Sequence, residues 1–396
     1  MQISQQKRYN MQSKLIKKAL DNQLFTLYYQ PKINLHTNKI DSAEALIRIE
    51  DNGEIIMPAE FISQAEKSDD IIEIDRWVFN RLIEDSRYIS LLSQNDINIS
   101  FNISSKHFTK SCFLENLDKI FNFTTDFLSK FEMELTEYAL IDNVKDATLK
   151  MDILKEKGFD IAIDDFGTGY SSLLALKDFP VDTIKIDKAF IDGMADDEKC
   201  IKIIESIIFL AKKLDMKVVA EGVEDVEQVT WLYENGCDEI QGYYYSEPLP
   251  INKFIKFVKA VNQTQYKNKF IVWSDKYSVN NYAFDTQHMI IASILNKLHE
   301  ELKDKKMTEK TDVKEYFSLL ERYIDIHFKA EEKFMKKNNY PKIASHIKAH
   351  NEFKKLLEDF NKNLSDSSKK NSYDLFILLK EWFLKHELMM DKDLTK

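Results

Sequence analysis

Apolar positions along this chain follow two periods, and the change falls near residue 260. Over the first 250 residues, short β-rich runs alternate with stretches of helical periodicity. The runs cover 25–35, 40–50, 97–104, 131–137, 160–166, 183–187, 217–224 and 239–246, with helical patterns at 72–92, 143–157, 199–214 and 226–235 between them. Eight strands with interposed helices predict a (β/α)8-type barrel. Residues 36–39 are too few for a crossover helix, so the first two strands are expected to pair antiparallel. Beyond residue 270 the period becomes 3.6, and helices are expected over 284–305, 312–337, 341–363 and 373–390. Pro341 is expected in the first turn of the third, where a missing N–H costs nothing. Short connections predict an antiparallel four-helix bundle. The fold class is therefore α/β plus all-α: a barrel with an N-terminal helix over 1–258, a linker over 259–269 and a bundle over 270–396. The stretch 252–268 itself reads as helical.

Composition sharpens this division. The 396 residues include 8 Gly and 6 Pro; no Gly follows Gly242, and Pro341 alone follows Pro250. Long helices with few tight turns fit such a segment. Residues 1–267 carry a net charge of −13 and the remainder +3, and six of the eight histidines lie beyond residue 280. An acidic first domain lacks the basic footprint that duplex DNA requires, although a small phosphate ligand held through metal ions is compatible with it. Cys112, Cys200 and Cys237 are scattered, without CxxC spacing, which fits a reducing cytoplasm and no disulfide framework. The polar, amphipathic N-terminus lacks the apolar core of a signal peptide. No run approaches the roughly 20 apolar residues of a membrane span.

Each expected strand from the second onward carries a polar residue where an apolar one would be ordinary: Glu44, Asn102, Glu134, Asp164 with Asp165, Lys185, Glu221 and Gln241. Barrel sites are assembled at the C-terminal face from the ends of several strands. Converging carboxylates repel one another unless cations lie among them. An all-oxygen donor set favours Mg2+ or Mn2+, and a pair of such ions suits phosphodiester hydrolysis.

Glu44-Ala45-Leu46, Asn102 in FNIS, Glu134 in ELTE, the run DDFGTGYSSL from Asp164, KIDKAF from Lys185, AEGVE from Ala220 and QGYYYSEPL from Gln241 together resemble the EAL-domain family. The resemblance covers roughly 12–258 in matching order and implies hydrolysis of cyclic di-GMP to linear pGpG in the cytoplasm of a bacterium. It implies that Glu44, Asn102, Glu134 and Asp164 hold one ion, and that Asp164 bridges to a second held with Asp165. Lys185 orients the attacking water, Glu221 is a general base or an outer-sphere metal contact, and Gln241 positions the water or a metal-bound water. Gln30 and Arg48 contact the nucleotide. Glu137 braces the loop 166–172, which in the family couples metal binding to dimerisation, so a homodimer is expected. A degenerate domain that binds without cutting lacks one or more of these positions, and all are present here. His107 is read as a surface residue.

In the second domain His327 and Glu331, like His346 and His350, are spaced i, i+4 and share a helix face. His288 stands early in the first helix and His386 late in the fourth, so an up-down bundle can bring all of them to one level. Five histidines with carboxylates favour a transition-metal centre, iron or alternatively zinc. Trp273, DTQH288, H327FKAEEKFM, H346IKAH350 and EWFLKH386ELMMD391 resemble the hemerythrins over about 268–396. That resemblance implies one iron on His346, His350 and His386, a second on His288 and His327, bridging Glu331 and Asp391, and O2 at the open position. Asp391 lies five residues after His386, so the fourth helix is expected to end or distort there. His299 is expected outside the set, in the core or at the surface, and Glu332 in solvent.

The combined expectation is a cyclic di-GMP phosphodiesterase regulated by O2 or redox state at a non-heme di-iron site, with no DNA partner and no membrane insertion. The alternatives are a nucleotide-binding barrel without catalysis joined to an oxygen or iron store, and an enzyme whose metals are protected or loaded by O2 chemistry.

Overall fold

Eight strands close on one another, and their inward faces are polar at one end. The structure is a computed structural model describing residues 2–120, 125–141, 143–167, 176–262, 271, 277–303, 310–365 and 369–394. The strands are β1 (Phe25–Asn34), β2 (Lys39–Asp51), β3 (Glu54–Ile56), β4 (Asn98–Asn102), β5 (Phe131–Thr136), β6 (Asp160–Phe166), β7 (Thr183–Ile186), β8 (Lys217–Ala220), β9 (Glu239–Ile240) and β10 (Leu249–Pro250). From β2 through β4 to β9 each neighbouring pair is parallel. β1 runs antiparallel to both β2 and β9 and closes the barrel, so the expected antiparallel first pair is observed. The short β3 and β10 add to β2 and β1 outside the ring; at three and two residues they are too brief for a periodic signal.

The larger helices are α1 (Gln2–Asp21), α2 (Asp70–Ser93), α3 (Val144–Lys157), α4 (Glu198–Lys213), α5 (Val226–Glu234), α6 (Ile251–Asn262), α7 (Tyr282–Lys303), α8 (Lys310–Lys337), α9 (Ile343–Ser365) and α10 (Lys369–Met389). α3 is capped at both ends: the Asn143 side chain accepts from the Asp146 N–H, and Gly158 stops the helix in the left-handed region at φ +107°. Pro341 falls just ahead of α9 rather than inside its first turn. α10 stops at Met389 and a 3-10 turn, Asp391–Asp393, follows, as the His386–Asp391 spacing requires. Among the described residues no helix is long and apolar enough to cross a membrane.

Successive strand residues point to opposite faces. Outward residues such as Ala43, Ile99, Met133, Ile161, Ile184 and Val218 are buried under the helices. Inward residues form two polar tiers. The tier toward the C-terminal ends of the parallel strands holds Glu44, Asn102, Glu134, Asp164, Lys185, Glu221 and Gln241. Two residues earlier on the same faces lie Ser42, Ser100, Glu132, Thr183 and Glu239: Ser42 Oγ donates to Glu239 at 2.7 Å, Thr183 Oγ1 to Glu132 at 2.5 Å, and Ser100 Oγ accepts from Lys32 at 2.7 Å.

The bundle seats directly on the barrel. Asn262, the last residue of α6, exchanges two bonds with the backbone of Ile40, at 2.8 and 2.7 Å. The expected linker is therefore helical to Asn262; residues 263–270 lie outside the described set, as does Trp273. At the start of α7 the Tyr282 hydroxyl donates to the Leu35 carbonyl at 2.7 Å, and its ring stacks on Tyr233 at 3.8 Å.

Candidate metal centres

Lysine 185 organises the barrel centre. Its Nζ lies 2.6 Å from Glu134 Oε2, 2.7 Å from Glu221 Oε1, 3.0 Å from Asp164 Oδ1 and 3.8 Å from Glu44 Oε2. Asn102 Nδ2 donates to Glu44 Oε1 at 2.8 Å, and Gln241 Nε2 donates to Glu44 Oε2 at 2.6 Å and to Gln30 Oε1 at 3.0 Å. Gln30, opposite Glu44 in the β1–β2 ladder, donates onward to the Ser246 carbonyl at 3.1 Å. Eight strands thus deliver eight polar side chains to one level. Arg48 is buried, donates to the Ile47 carbonyl and lies over the Tyr28 ring at 5.8 Å. Glu137 Oε2 accepts from Gly167 N at 3.3 Å; the rest of the loop it is expected to brace, 168–172, lies outside the described residues.

Two glycines make this level possible. A Cβ on Gly242 would stand 2.0 Å from the Val223 carbonyl oxygen, so the segments after Gln241 and Glu221 approach as only glycine allows. Gly222, at φ +66°, turns the chain sharply beside Glu221. Asp165 adopts the left-handed region at φ +54°, which an aspartate tolerates and which turns the chain directly after Asp164.

The electrostatics call for cations. Burial pushes Glu44 up to about 7, with Glu134 adding to the effect. Burial likewise raises Glu221 to about 8 against the pull of Lys185, and Asp165 to about 6 with Asp164 beside it. Glu134 goes the other way: burial opposes its charge, but Lys185 and Lys32 hold it down at about 2. Five carboxylates share two ammonium groups, and crowded carboxylates of this kind ionise together only around added positive charge. Asp164, Asp165 and Glu221 each offer an oxygen within 4.8 Å of the others. This oxygen-only donor set fits hard divalent ions.

Lys32 was not singled out by sequence reasoning. It is buried in β1, two residues beyond Gln30 on the same face, and its Nζ donates to Ser100 Oγ at 2.7 Å and Glu134 Oε1 at 3.2 Å. Its position at period two from Gln30 is the signal that points to it. His107 corrects an expectation: it is fully buried rather than on the surface, because Asp75 Oδ2 stands 3.1 Å from its Nδ1 and also accepts from Ser104. That trio secures the turn that follows Asn102.

In the bundle, five histidines and two carboxylates from all four helices and the terminal turn converge in full burial. Glu331 divides its oxygens: Oε2 faces His350 at 3.0 Å and His346 at 3.5 Å, and Oε1 faces His327 at 3.6 Å and His288 at 4.0 Å. Asp391 does the same, with Oδ1 toward His386 at 3.0 Å and His346 at 3.1 Å and Oδ2 toward His288 at 3.7 Å. Both ring nitrogens of His346 and His386 and both oxygens of Asp391 are buried, and the close contacts among them lack the alignment of hydrogen bonds. Polar atoms so arranged satisfy a metal rather than one another. Ligand atoms fall into one group of Glu331, His346, His350 and His386 and another of His288, His327, Glu331 and Asp391, a donor set that fits two transition-metal ions. Glu332, expected in solvent, instead bonds His350 Nδ1 at 3.0 Å, which turns Nε2 inward. His299 is buried against Phe376, outside the set.

Residues 14–248 match the EAL domain family. The chain belongs to the EAL family. Beyond the EAL barrel, residues 280–395 match the hemerythrin HHE cation binding domain. The signaling protein YkoW of Bacillus subtilis is 36% identical over 248 residues, 62% of this chain and 31% of its own length. NbdA of Pseudomonas aeruginosa, named a cyclic di-GMP phosphodiesterase, is 34% identical over 246 residues, again 62% of this chain and 31% of its own. The chain thus spans about a third of the length of these relatives. Among solved structures, the PaMucR phosphodiesterase in its c-di-GMP complex superposes on the EAL barrel with a TM-score of 0.58 at 31% identity, covering 62% of this chain and 99% of that one.

Proposed function

We infer that the barrel hydrolyses cyclic di-GMP to the linear dinucleotide, and that the bundle adjusts this activity to O2 or redox state at a di-iron centre. The observation that carries the catalytic half is the convergence of Gln30, Glu44, Asn102, Glu134, Asp164, Lys185, Glu221 and Gln241 at one barrel level with every position chemically intact. Similarity to relatives and structures described as cyclic di-GMP phosphodiesterases supports the substrate.

Glu44, Asn102, Glu134, Asp164, Asp165 and Glu221 would hold two Mg2+ or Mn2+ ions, which when bound polarise a phosphoryl oxygen and acidify water. Lys185 holds Glu134, Asp164 and Glu221 in register and supplies positive charge where the phosphoryl group gains negative charge. The ion pair with Lys185 and the grouping with Asp164 and Asp165 favour Glu221 as a metal contact. Gln241, fixed by Glu44 and Gln30, orients water, and Arg48 offers a cation to the nucleotide. A cleft of about 380 Å3 beside Asn102, lined by Leu46, Pro58, Ile71 and Ser104, has the size for a planar base.

In the bundle, His346, His350 and His386 would bind one iron and His288 and His327 the other, with Glu331 and Asp391 bridging; such a centre supplies reversible redox or O2 chemistry. The seven-ligand set and the hemerythrin match support this half. A cytoplasmic setting and a homodimer remain part of this reading.

The test is turnover of cyclic di-GMP by iron-loaded protein, first reduced without air and then oxidised. Hydrolysis that Glu44→Ala abolishes, at rates differing between the two states, is expected. Unchanged hydrolysis in Glu44→Ala removes the catalytic assignment, and equal rates remove the sensory one.

A further inference from the structure

Among the described residues, one buried side chain makes direct polar contacts both with a histidine of the bundle centre and with the barrel segment that follows Gln241. Gln287, immediately before His288 in α7, is fully buried. Its Oε1 lies 2.9 Å from His327 Nδ1, and its Nε2 donates to the Tyr244 carbonyl at 2.9 Å. An amide oxygen can only accept, so His327 carries its proton on Nδ1 and keeps Nε2, the atom facing Glu331, free for a metal.

Tyr244 stands three residues after Gln241. Its N–H donates to the Val223 carbonyl at 3.0 Å, and the Val223 N–H donates to the Gln241 carbonyl at 3.1 Å. Val223 in turn follows Glu221 by two residues. The Gly242–Val223 contact leaves these segments no room to slide past each other. A displacement of the Tyr244 carbonyl is therefore passed to the backbone of both Gln241 and Glu221. Of the ion pairs that also join the domains, Arg322 with Glu247, Lys333 with Asp225 and Lys337 with Glu227 are partly to largely exposed and individually weak, and the part-buried Lys256–Glu315 pair lies on α6, away from Gln241 and Glu221 in sequence.

We propose that Gln287 is a positioning residue shared by both centres: it orients His327 toward iron and, through the Tyr244 carbonyl, sets the backbone that carries Gln241 and Glu221. The proposal rests on the di-iron and phosphodiesterase reading above. Coupling of this kind is reciprocal in binding free energy. The redox state of the iron changes the affinity of the barrel for its nucleotide, and filling the barrel shifts the midpoint potential of the iron by the matching amount. The backbone that carries Gln241 and Glu221 moves with it, so turnover also differs between the two states.

Gln287→Glu tests the bridge, because a carboxylate keeps the acceptor for His327 and loses the donor to Tyr244. The full chain, iron-loaded, is compared with and without Mg2+ and pGpG. Wild type is expected to show a nucleotide-dependent potential shift and a turnover ratio between redox states of at least about fivefold. Gln287→Glu is expected to retain iron and its ferric absorption but lose the potential shift, with the turnover ratio falling to within about twofold of unity. A variant that keeps both wild-type responses overturns the bridge and leaves the sensory reading standing. A wild type with neither response overturns both. Amide hydrogen exchange on wild type gives a check free of any substitution: oxidation of the iron should change protection at Val223 and Tyr244, and identical protection in the two states overturns the bridge.

Discussion

Lys185 Nζ lies 2.7 Å from Glu221 Oε1, inside a ring of carboxylates that no other described cation enters from the catalytic end. Removing its charge leaves Glu134, Asp164 and Glu221 to repel one another and leaves the phosphoryl group without its ammonium. Lys185→Met should lower turnover of cyclic di-GMP by roughly 10²- to 10⁴-fold, the range of a lost proton-transfer or electrostatic contact. Steady-state assays at saturating Mg2+ check this, and a loss below tenfold would refute the role.

Lys32 acts from the tier beneath. Glu134 is gripped by two ammonium groups, with Oε1 3.2 Å from Lys32 and Oε2 2.6 Å from Lys185. Lys32 lies in the tier below the proposed metal donors, so Lys32→Met should act on affinity for the ion more than on the chemical step. The Mg2+ concentration for half-maximal rate should rise roughly 10- to 100-fold, as for other outer partners of metal ligands, with kcat at saturating Mg2+ reduced far less. An unchanged metal requirement would make Lys32 a purely structural cation.

The strands and the bundle are legible because their periods are local properties of the chain, and the upper polar tier because a carboxylate such as Glu134 or Asp164 is conspicuous in an apolar strand. Lys32 escaped notice because a lone lysine reads as solvated unless its inward parity with Gln30 is followed. His107 and Glu332 were misplaced for a related reason: Asp75 lies 32 residues from His107 and His350 lies 18 from Glu332, so neither partner is visible in a local window. Gln287 could not be read at all, since its role depends on how the bundle seats on the barrel.

Glu332 corrects the expectation of a solvated side chain and yields its own prediction. Its Oε1 accepts from His350 Nδ1 at 3.0 Å and so fixes which nitrogen faces the metal. Glu332→Leu should weaken iron retention roughly 10- to 100-fold. Loss of ferric absorption against a chelator measures this, and His350→Ala should abolish the absorption outright. Retention equal to wild type in Glu332→Leu would show that His350 is oriented by packing against Phe328, whose ring stacks on it at 3.8 Å.

Cys237 ties the stability of the barrel to pH. Burial pushes its thiol up to about 12, with Asp238 adding to the effect, while Sγ donates to the Glu239 carbonyl at 3.3 Å. In the unfolded chain the thiol ionises near 8.5. Between these values the unfolded state has released a proton that the folded state keeps, so stability falls as pH rises through this window and is fully present below it. The slope from this one group is about 1.4 kcal/mol per pH unit. Urea melts of wild type and Cys237→Ala at pH 8, 9.5 and 11 isolate it, because the other groups that titrate there are common to both proteins. The stability difference between the two should shrink as pH rises. In the native protein near pH 8 a thiol reagent should label the exposed Cys112 and reach Cys237 only when the barrel opens. A stability difference independent of pH, or native labelling of Cys237 as fast as Cys112, would show that the thiol is not shielded where β8 and β9 meet.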